Sequence, residues 1–235
     1  MYYLNSLGAL VVNSVAPGAG YILAGYYRIG IVIQAFLAGS LVIICWTRWI
    51  LIPIGCEILL IITLLTYLSN TLWLIAKILK NHPQWTMKNV GVCLVFCVIC
   101  FAAIAFGFTT KEHWLGVHIN FVPSGSMQPT LMPGDFILVD HWHYGRNSVA
   151  LNDVVVFKLS RHKELAVKRV KPWPDGRLAH GSQYYLLGDN TSFSHDSRNY
   201  GGVERDWIQG KVALILCSFD KRWHWRARRL FKEIH

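Results

Sequence analysis

Acidic side chains are scarce in this chain of 235 residues, where 13 Asp and Glu face 23 Lys and Arg for a formal net charge of +10. Charge of either sign is scarcer still in the first half. Up to residue 108 the only charged side chains are Arg28, Arg48, Glu57, Lys77, Lys80 and Lys88. With 53% hydrophobic residues and a mean hydropathy of +0.34, the composition excludes an ordinary soluble domain throughout. Paired cysteines are also missing from the polar half. Cys45, Cys56, Cys93, Cys97 and Cys100 lie in apolar runs, which leaves Cys217 alone after residue 109 and excludes a disulfide framework. Cys93, Cys97 and Cys100 fall on one helical face, where they read as small packing residues. The opening MYYLNSLG has no basic n-region, so no cleavable targeting signal is expected. No nucleic-acid-binding motif accompanies the basic balance, so Lys and Arg read as orientation and anionic-lipid residues instead. No internal repeat or low-complexity segment is present.

What the first half does contain is apolar runs. A membrane span takes about 20 such residues. Residues 6–24 are interrupted by Asn13, Ser14 and Pro17 and read as a weak span or a re-entrant hairpin. Residues 29–46, 49–76 and 90–108 are cleaner, the last without one charged side chain. The expectation is a membrane protein with three to four N-terminal transmembrane helices. Lys77, Lys80 and Lys88 place the 77–89 segment on the cytoplasmic side, so everything after the 90–108 span emerges on the outer face. Arg28 then falls inside and Arg48 outside. Glu57 lies within a span, where an acid is a functional candidate, but a tilted helix would let it reach water, and the structural reading is preferred.

The rest of the chain is organised around residues 122–139, VPSGSMQPTLMPGDFILV. Pro123, Gly125 and Pro129 forbid helix around Ser124 and Ser126 and fix a tight loop. Pro133-Gly134-Asp135 then turns the chain into a strand. A serine on a stiff loop at the head of a strand suits a nucleophile, provided a neighbour takes its proton. A plain polar turn between strands is the competing reading.

Strands are expected at about 135–143, 153–159, 164–171, 183–187 and 210–219, a compact mostly-β domain. In 164–171, ELAVKRVK, alternation puts Lys168 on a face with Ala166 and Val170, and Arg169 on the face of Val167 and Lys171. An amine in apolar surroundings loses its charge more readily and becomes a base; a snorkelling lysine is the alternative. Residues 188–202, GDNTSFSHDSRNYGG, read as a surface loop pinned by Asp196 and Arg198. His141, His143, His180 and His195 compete as bases. His141 and His143 would share a strand face as metal ligands, but no third ligand stands at a recognisable spacing, so no metal is expected. Residues 112–122 read as an interfacial approach, and 221–235, basic with Trp223, Trp225, Leu230, Phe231 and Ile234 interleaved, as an amphipathic helix on anionic headgroups or a solvated tail.

These pieces resemble the type I signal peptidases, the Ser-Lys membrane proteases that cut signal peptides from exported proteins. PSGSMQPTLMPGDFILVD resembles the family's serine box, NDVVVF the next strand box, AVKRV the lysine box, GDN with SHDSR a third box and GKVALILCSFD the closing strand. The resemblance implies Ser126 as nucleophile and Lys168 as general base, with Ser124 donating to the oxyanion. It implies Ser194 holding the lysine amine, Asp196 and Arg198 buttressing the site, and Asp189 and Asn190 in its supporting loop. Val122 and Val167 would line shallow pockets for small residues. No cofactor is implied, and the partners are signal-peptide-bearing preproteins and membrane lipid, with no nucleic acid. The organisation expected is a multi-span region over 1–89, a transmembrane helix and exit over 90–111, the peptidase domain over 112–220, and a basic aromatic segment at the membrane surface over 221–235. The location implied is the bacterial cytoplasmic membrane, with the catalytic domain on the outer face. Two departures touch loop geometry: Thr191-Ser192-Phe193 after GDN, and Pro172-Trp173-Pro174-Asp175 after the lysine box. A peptidase dedicated to one substrate, such as a conjugative pilin, and a non-catalytic membrane scaffold remain as alternatives.

Overall fold

The computed structural model describes residues 2–81, 85–158 and 165–234. The chain divides into two compact units, Met1–Ile50 with Ile54–Thr110, and Lys111–His235 with Leu51–Pro53.

The first unit is helical: α1 (Tyr2–Val15), α2 (Ala19–Leu23), α3 (Tyr27–Trp46), α4 (Pro53–Asn81) and α5 (Met87–Trp114). Among the described residues, α3, α4 and the Met87–Gly107 part of α5 are long and apolar enough to cross a membrane. The 6–24 segment is not. At 14 residues α1 is about 21 Å long, short of the roughly 30 Å of hydrocarbon. It stops where Pro17 and Gly18 break the helix. Gly18 takes a φ of 95°, and a Cβ there would meet the Gly30 carbonyl oxygen at 2.4 Å, so only glycine permits the turn. The Asn13 side chain accepts from the Gly18 amide at 2.9 Å and closes it. All five residues of α2 are buried, and the Tyr21 hydroxyl ties it to α4 by donating to the Asn70 carbonyl at 2.7 Å. Among the described residues three helices are therefore long and apolar enough to span, within the three to four expected.

The second unit is an antiparallel sheet in the order β1-β2-β8-β3-β4-β6-β5, with β7 on β6 and β9 on β8. The strands are β1 (Val117–Phe121), β2 (Asp135–Asp140), β3 (Val154–Lys158), β4 (Leu165–Lys171), β5 (Ala179–His180), β6 (Gln183–Leu187), β7 (Val203–Glu204), β8 (Ile208–Ser218) and β9 (Lys232–Glu233). The apolar run of β3 faces core on both sides, as an inner strand requires. Val154 and Val156 pack with Val122, Met127, Leu131, Ile137 and Val212, while Val155 and Phe157 pack with Val170, Leu186 and Ile208.

Five strands fall where the sequence placed them, within a few residues. Strand β2 ends at Asp140 instead of 143 because the Asp140 carboxylate accepts from the Trp142 amide at 2.9 Å and turns the chain into α6 (His143–Arg146). His141 and His143 thus share no strand face. Residues 117–121, within the stretch expected as an interfacial approach, form β1, a strand not among those expected, paired along its length to β2. The break expected at 160–163 lies outside the described residues, as do the ends of the expected strands at 159 and 164. No helix forms over 221–234: Ala227–Arg229 is a single 3-10 turn, and β9 folds back onto β8. The segment has apolar residues for two faces, but its last strand finds a sheet edge to complete.

Candidate active site

Residues 122–135 leave the sheet and return to it. The Val122 amide donates to the Asp135 carbonyl and the Gly134 amide to the Val122 carbonyl, both at 2.9 Å, so the loop is closed at its base. Met127 and Leu131, 1% and 0% exposed, anchor it in the core. Ser124 points outward and Ser126 is half-buried between them.

Strand β4 carries Lys168 opposite Val155 of β3. The side chain is 5% exposed, and its Nζ donates to Ser126 Oγ at 2.7 Å. Burial pushes the amine below its ordinary value of 10.5, and the charges of Asp196 and Asp189 pull it only partly back. A hydroxyl and an amine with a weakened hold on its proton therefore share one hydrogen bond. Ser124 Oγ stands 3.4 Å from Ser126 Oγ. Among the described residues the Ser126 amide donates to nothing.

The loop after β6 supports this pair from one flank. The Asn190 amide donates to the Ser126 carbonyl at 3.0 Å, and its side chain to the Gly125 carbonyl at 3.1 Å. Asp189 receives two bonds from Arg169, at 2.9 and 2.8 Å. Burial pushes the Asp189 carboxyl up, and the bonds from Arg169 and Thr130 more than reverse it, so it is held below its ordinary value. Arg169 also donates to the Asn152 carbonyl at 2.9 Å and to Thr130 Oγ1 at 3.2 Å. Sequence reasoning placed Arg169 on its strand and gave it no part in the site. Its signal was there: an arginine beside a buried lysine needs a carboxylate, and the GDN turn supplies one.

Asp196 is fully buried at the head of α7 (Ser197–Tyr200). Its carboxylate accepts from the Gly188 amide at 2.9 Å and from Arg198 at 2.8 and 2.9 Å, and with Asn199 it forms a reciprocal cap on the helix. Burial pushes this carboxyl up; the bonds from Arg198, the nearby Ser194 hydroxyl and the bond from the Gly188 amide more than reverse it and hold it well below the carboxylate range. Ser194 Oγ is buried, helps keep Asp196 ionised, and reaches full hydrogen-bond geometry with no described residue, Lys168 included. Ser126, Lys168, Ser124 and Asn190 thus form one bonded group, flanked through the 188–191 turn by the Asp189–Arg169 pair and by Asp196 with Arg198, and Ser194 stands beside them. Val122 and Val167 meet in the core cluster under the serine loop, Val122 4% exposed and Val167 partly so. His195 packs against the Tyr200 ring, 5.6 Å between centroids. Among the described residues no group of three or more His, Cys, Asp or Glu side chains is placed to hold a metal ion.

The sequence of this chain has relatives. The family model for signal peptidase, peptidase S26, matches residues 88–177, a stretch that contains both Ser126 and Lys168. Mitochondrial inner membrane protease subunit 1 of Schizosaccharomyces pombe is 31% identical over 139 residues, covering 52% of this chain and 86% of that one. Probable signal peptidase I-2 of Synechocystis is 24% identical over 170 residues, or 57% of this chain and 74% of the relative. Signal peptidase I of Buchnera aphidicola subsp. Schizaphis graminum is 37% identical over 140 residues, or 48% of this chain and 45% of the relative.

Proposed function

We propose that this chain, which belongs to the signal peptidase family, peptidase S26, is a membrane-bound serine endopeptidase that removes N-terminal signal peptides from exported proteins. Ser126 is the nucleophile and Lys168 the general base. The observation that carries this reading is the 2.7 Å contact between Lys168 Nζ and Ser126 Oγ, with the amine buried.

In the resting pair the amine donates to the hydroxyl. Once Lys168 loses its proton the bond reverses, and the Ser126 hydroxyl donates to the free lone pair. The Ser126 oxygen attacks the scissile carbonyl as Lys168 takes the hydroxyl proton. The oxyanion accepts hydrogen bonds from the Ser126 amide and the Ser124 hydroxyl. Lys168 then gives its proton to the leaving amine, and a serine ester remains. Water attacks the ester with Lys168 again as base, releasing the cut peptide and restoring the serine.

Among the described residues, Leu165 to Lys168 of β4 pair with β3 alone, and β6 reaches Arg169 to Lys171. That free edge supports a substrate bound as an added strand next to the base. Val167, partly buried at this edge over the core that holds Val122, would leave room only for small residues before the cut. Three helices long and apolar enough to cross, with the positive residues Lys77, Lys80 and Lys88 taken as inside, support a reading in which Arg28 is also cytoplasmic and the sheet domain emerges on the outer face. Residues 1–87 lie outside the family match, which favours a narrower, dedicated substrate range as the second reading.

The purified chain in lipid, given an exported preprotein, should cleave it, and Ser126→Ala and Lys168→Ala should each lose all measurable cleavage while keeping the fold. Full activity in either variant rejects the assignment. Precursors that accumulate on depletion, one or hundreds, decide between dedicated and general use.

A further inference from the structure

The serine loop is bonded on its far flank by the C-terminal segment, 99 residues away in sequence. Arg229 donates from Nε to Asp135 Oδ1 at 3.0 Å, and from Nη2 to Asp135 Oδ2 at 2.5 Å and to the Thr130 carbonyl at 2.8 Å. Asp135 is fully buried, and its Oδ2 also accepts from the Met132 amide at 2.8 Å. Arg226 donates to the Pro133 carbonyl at 3.0 Å. Three carbonyl or amide groups between residues 130 and 133 are therefore fixed by two arginines and one carboxylate. Thr130 is the point where this brace meets the base: its side-chain oxygen accepts from Arg169, the neighbour of Lys168 on β4.

We propose that Arg229 is a positioning residue for the Ser126–Lys168 pair, acting through Thr130. This rests on the reading of Ser126 and Lys168 as nucleophile and base. The physical case is one of freedom. Within the loop the Gln128 amide donates to the Gly125 carbonyl at 3.2 Å and the Leu131 amide to the Met127 carbonyl at 2.9 Å, with Met127 and Leu131 seated in the core; the outward parts of the loop are held by bonds from outside it. Asn190 grips the chain at residues 125 and 126. Arg229 and Arg169 grip it at 130, one by main chain and one by side chain. With the grip at 130 removed the loop shifts about its core anchors at Met127 and Leu131, and a reacting oxygen misplaced by about 1 Å loses about a hundredfold in rate. Arginine is required because a planar guanidinium meets both carboxylate oxygens and a carbonyl at once, whereas a lysine is a single point of charge. Arg228 is exposed and serves as the neighbouring control.

The test uses the full chain in lipid with Arg229→Gln, Arg229→Lys, Arg228→Gln and Ser126→Ala. Active sites are counted by titration with a serine-reactive probe, and kcat and KM are measured per titrated site across pH. Arg229→Gln should lower kcat about 10- to 100-fold with KM near wild type. Its activity should rise at higher pH than wild type's, because a loosened loop lets water reach Lys168 and raises its pKa. Arg229→Lys should fall between, and Arg228→Gln should match wild type. A kcat and pH profile in Arg229→Gln and Arg229→Lys that equal wild type per titrated site overturn the proposal. Should Arg229→Gln not fold, Arg229→Lys alone decides on the same readouts. Cleavage by Ser126→Ala would reject the nucleophile itself; a dead Ser126→Ala with a normal Arg229 series would reject only the brace.

Discussion

Lys168 and Ser126 stand 42 residues apart in sequence and 2.7 Å apart in space, amine nitrogen to hydroxyl oxygen. The amine is depressed below 10.5 because it is buried. Only the neutral form accepts the serine proton, so activity should rise with pH along one ionisation and level off below 10.5. Lys168→Arg keeps the charge and cannot lose it. It should be folded and inactive at every pH, as measured by preprotein cleavage and circular dichroism. A Lys168→Arg enzyme with wild-type turnover would remove proton transfer at position 168 from the mechanism.

The same burial has a stability consequence of defined sign. The unfolded chain holds the Lys168 proton more tightly than the folded one. Between the folded and unfolded pKa values the unfolded state binds more protons, so stability rises with pH through that window. Below it the cost is full and constant. Lys168→Met removes the titration and keeps the bulk. The melting temperature of Lys168→Met should exceed that of wild type near neutrality, and the gap should close as pH approaches 10.5. A gap independent of pH would mean that the amine is as well solvated folded as unfolded.

Asp196 works in the opposite sense. Its folded pKa lies below the ordinary 3.8, so its contribution is present above 3.8 and disappears as pH falls through the folded value. Asp196→Asn leaves the Gly188 amide or Arg198 short of a partner in a fully buried place and should cost about 1–3 kcal/mol near neutrality. Arg198 is 39% exposed, and Arg198→Ala should cost less. Denaturant unfolding at pH 7 checks the order. An Arg198→Ala loss larger than that of Asp196→Asn would reverse the assignment of which partner is the buried anchor.

Ser126, Lys168 and the GDN turn were legible in the sequence because their signals are local: proline and glycine around a serine, a lysine in an alternating strand, a polar turn closed by glycines. Arg169 and Arg229 were not, because their partners lie on other strands and on a loop, and nothing in RARRLF distinguishes Arg229 from its exposed neighbour Arg228. The 221–234 stretch was misread for a related reason. Its residues suit an amphipathic helix, and the bonds that fold it otherwise, β9 on β8 and Arg229 on Asp135, come from the far side of the domain. Strand β1 was missed although Val117, Ile119 and Phe121 alternate with His118 and Asn120, because Ile119 and Phe121 are exposed and the alternation marks no buried face. The hydroxyl of Ser194 shows the limit of motif transfer: the position is filled, and the bond to the lysine is not made.

Gly188 tests how tightly the loop and the serine must fit. A Cβ at this position would stand 2.1 Å from Ser194 Oγ and 2.5 Å from the Ser126 carbonyl oxygen, both inside any tolerated contact. The first obstacle is a side chain, which can rotate about its Cα–Cβ bond. The second is backbone, and the Asn190 amide holds the same carbonyl. Gly188→Ala must therefore push the Ser126 main chain away from the GDN turn. Overpacking of this kind costs about 1–3 kcal/mol, and the displaced carbonyl drags the nucleophile with it. Activity per folded molecule should drop by about a hundredfold or more, since in the proposed mechanism the misplaced residue carries the attacking atom. Gly188→Ala with Ser194→Gly removes the side-chain obstacle alone. The double variant should recover part of the stability and little of the turnover, because the clash with Ser126 persists. Cleavage rate and unfolding midpoint measured together check the split. Recovery of full turnover in the double variant would mean that Ser194, not the serine backbone, sets the close approach at Gly188.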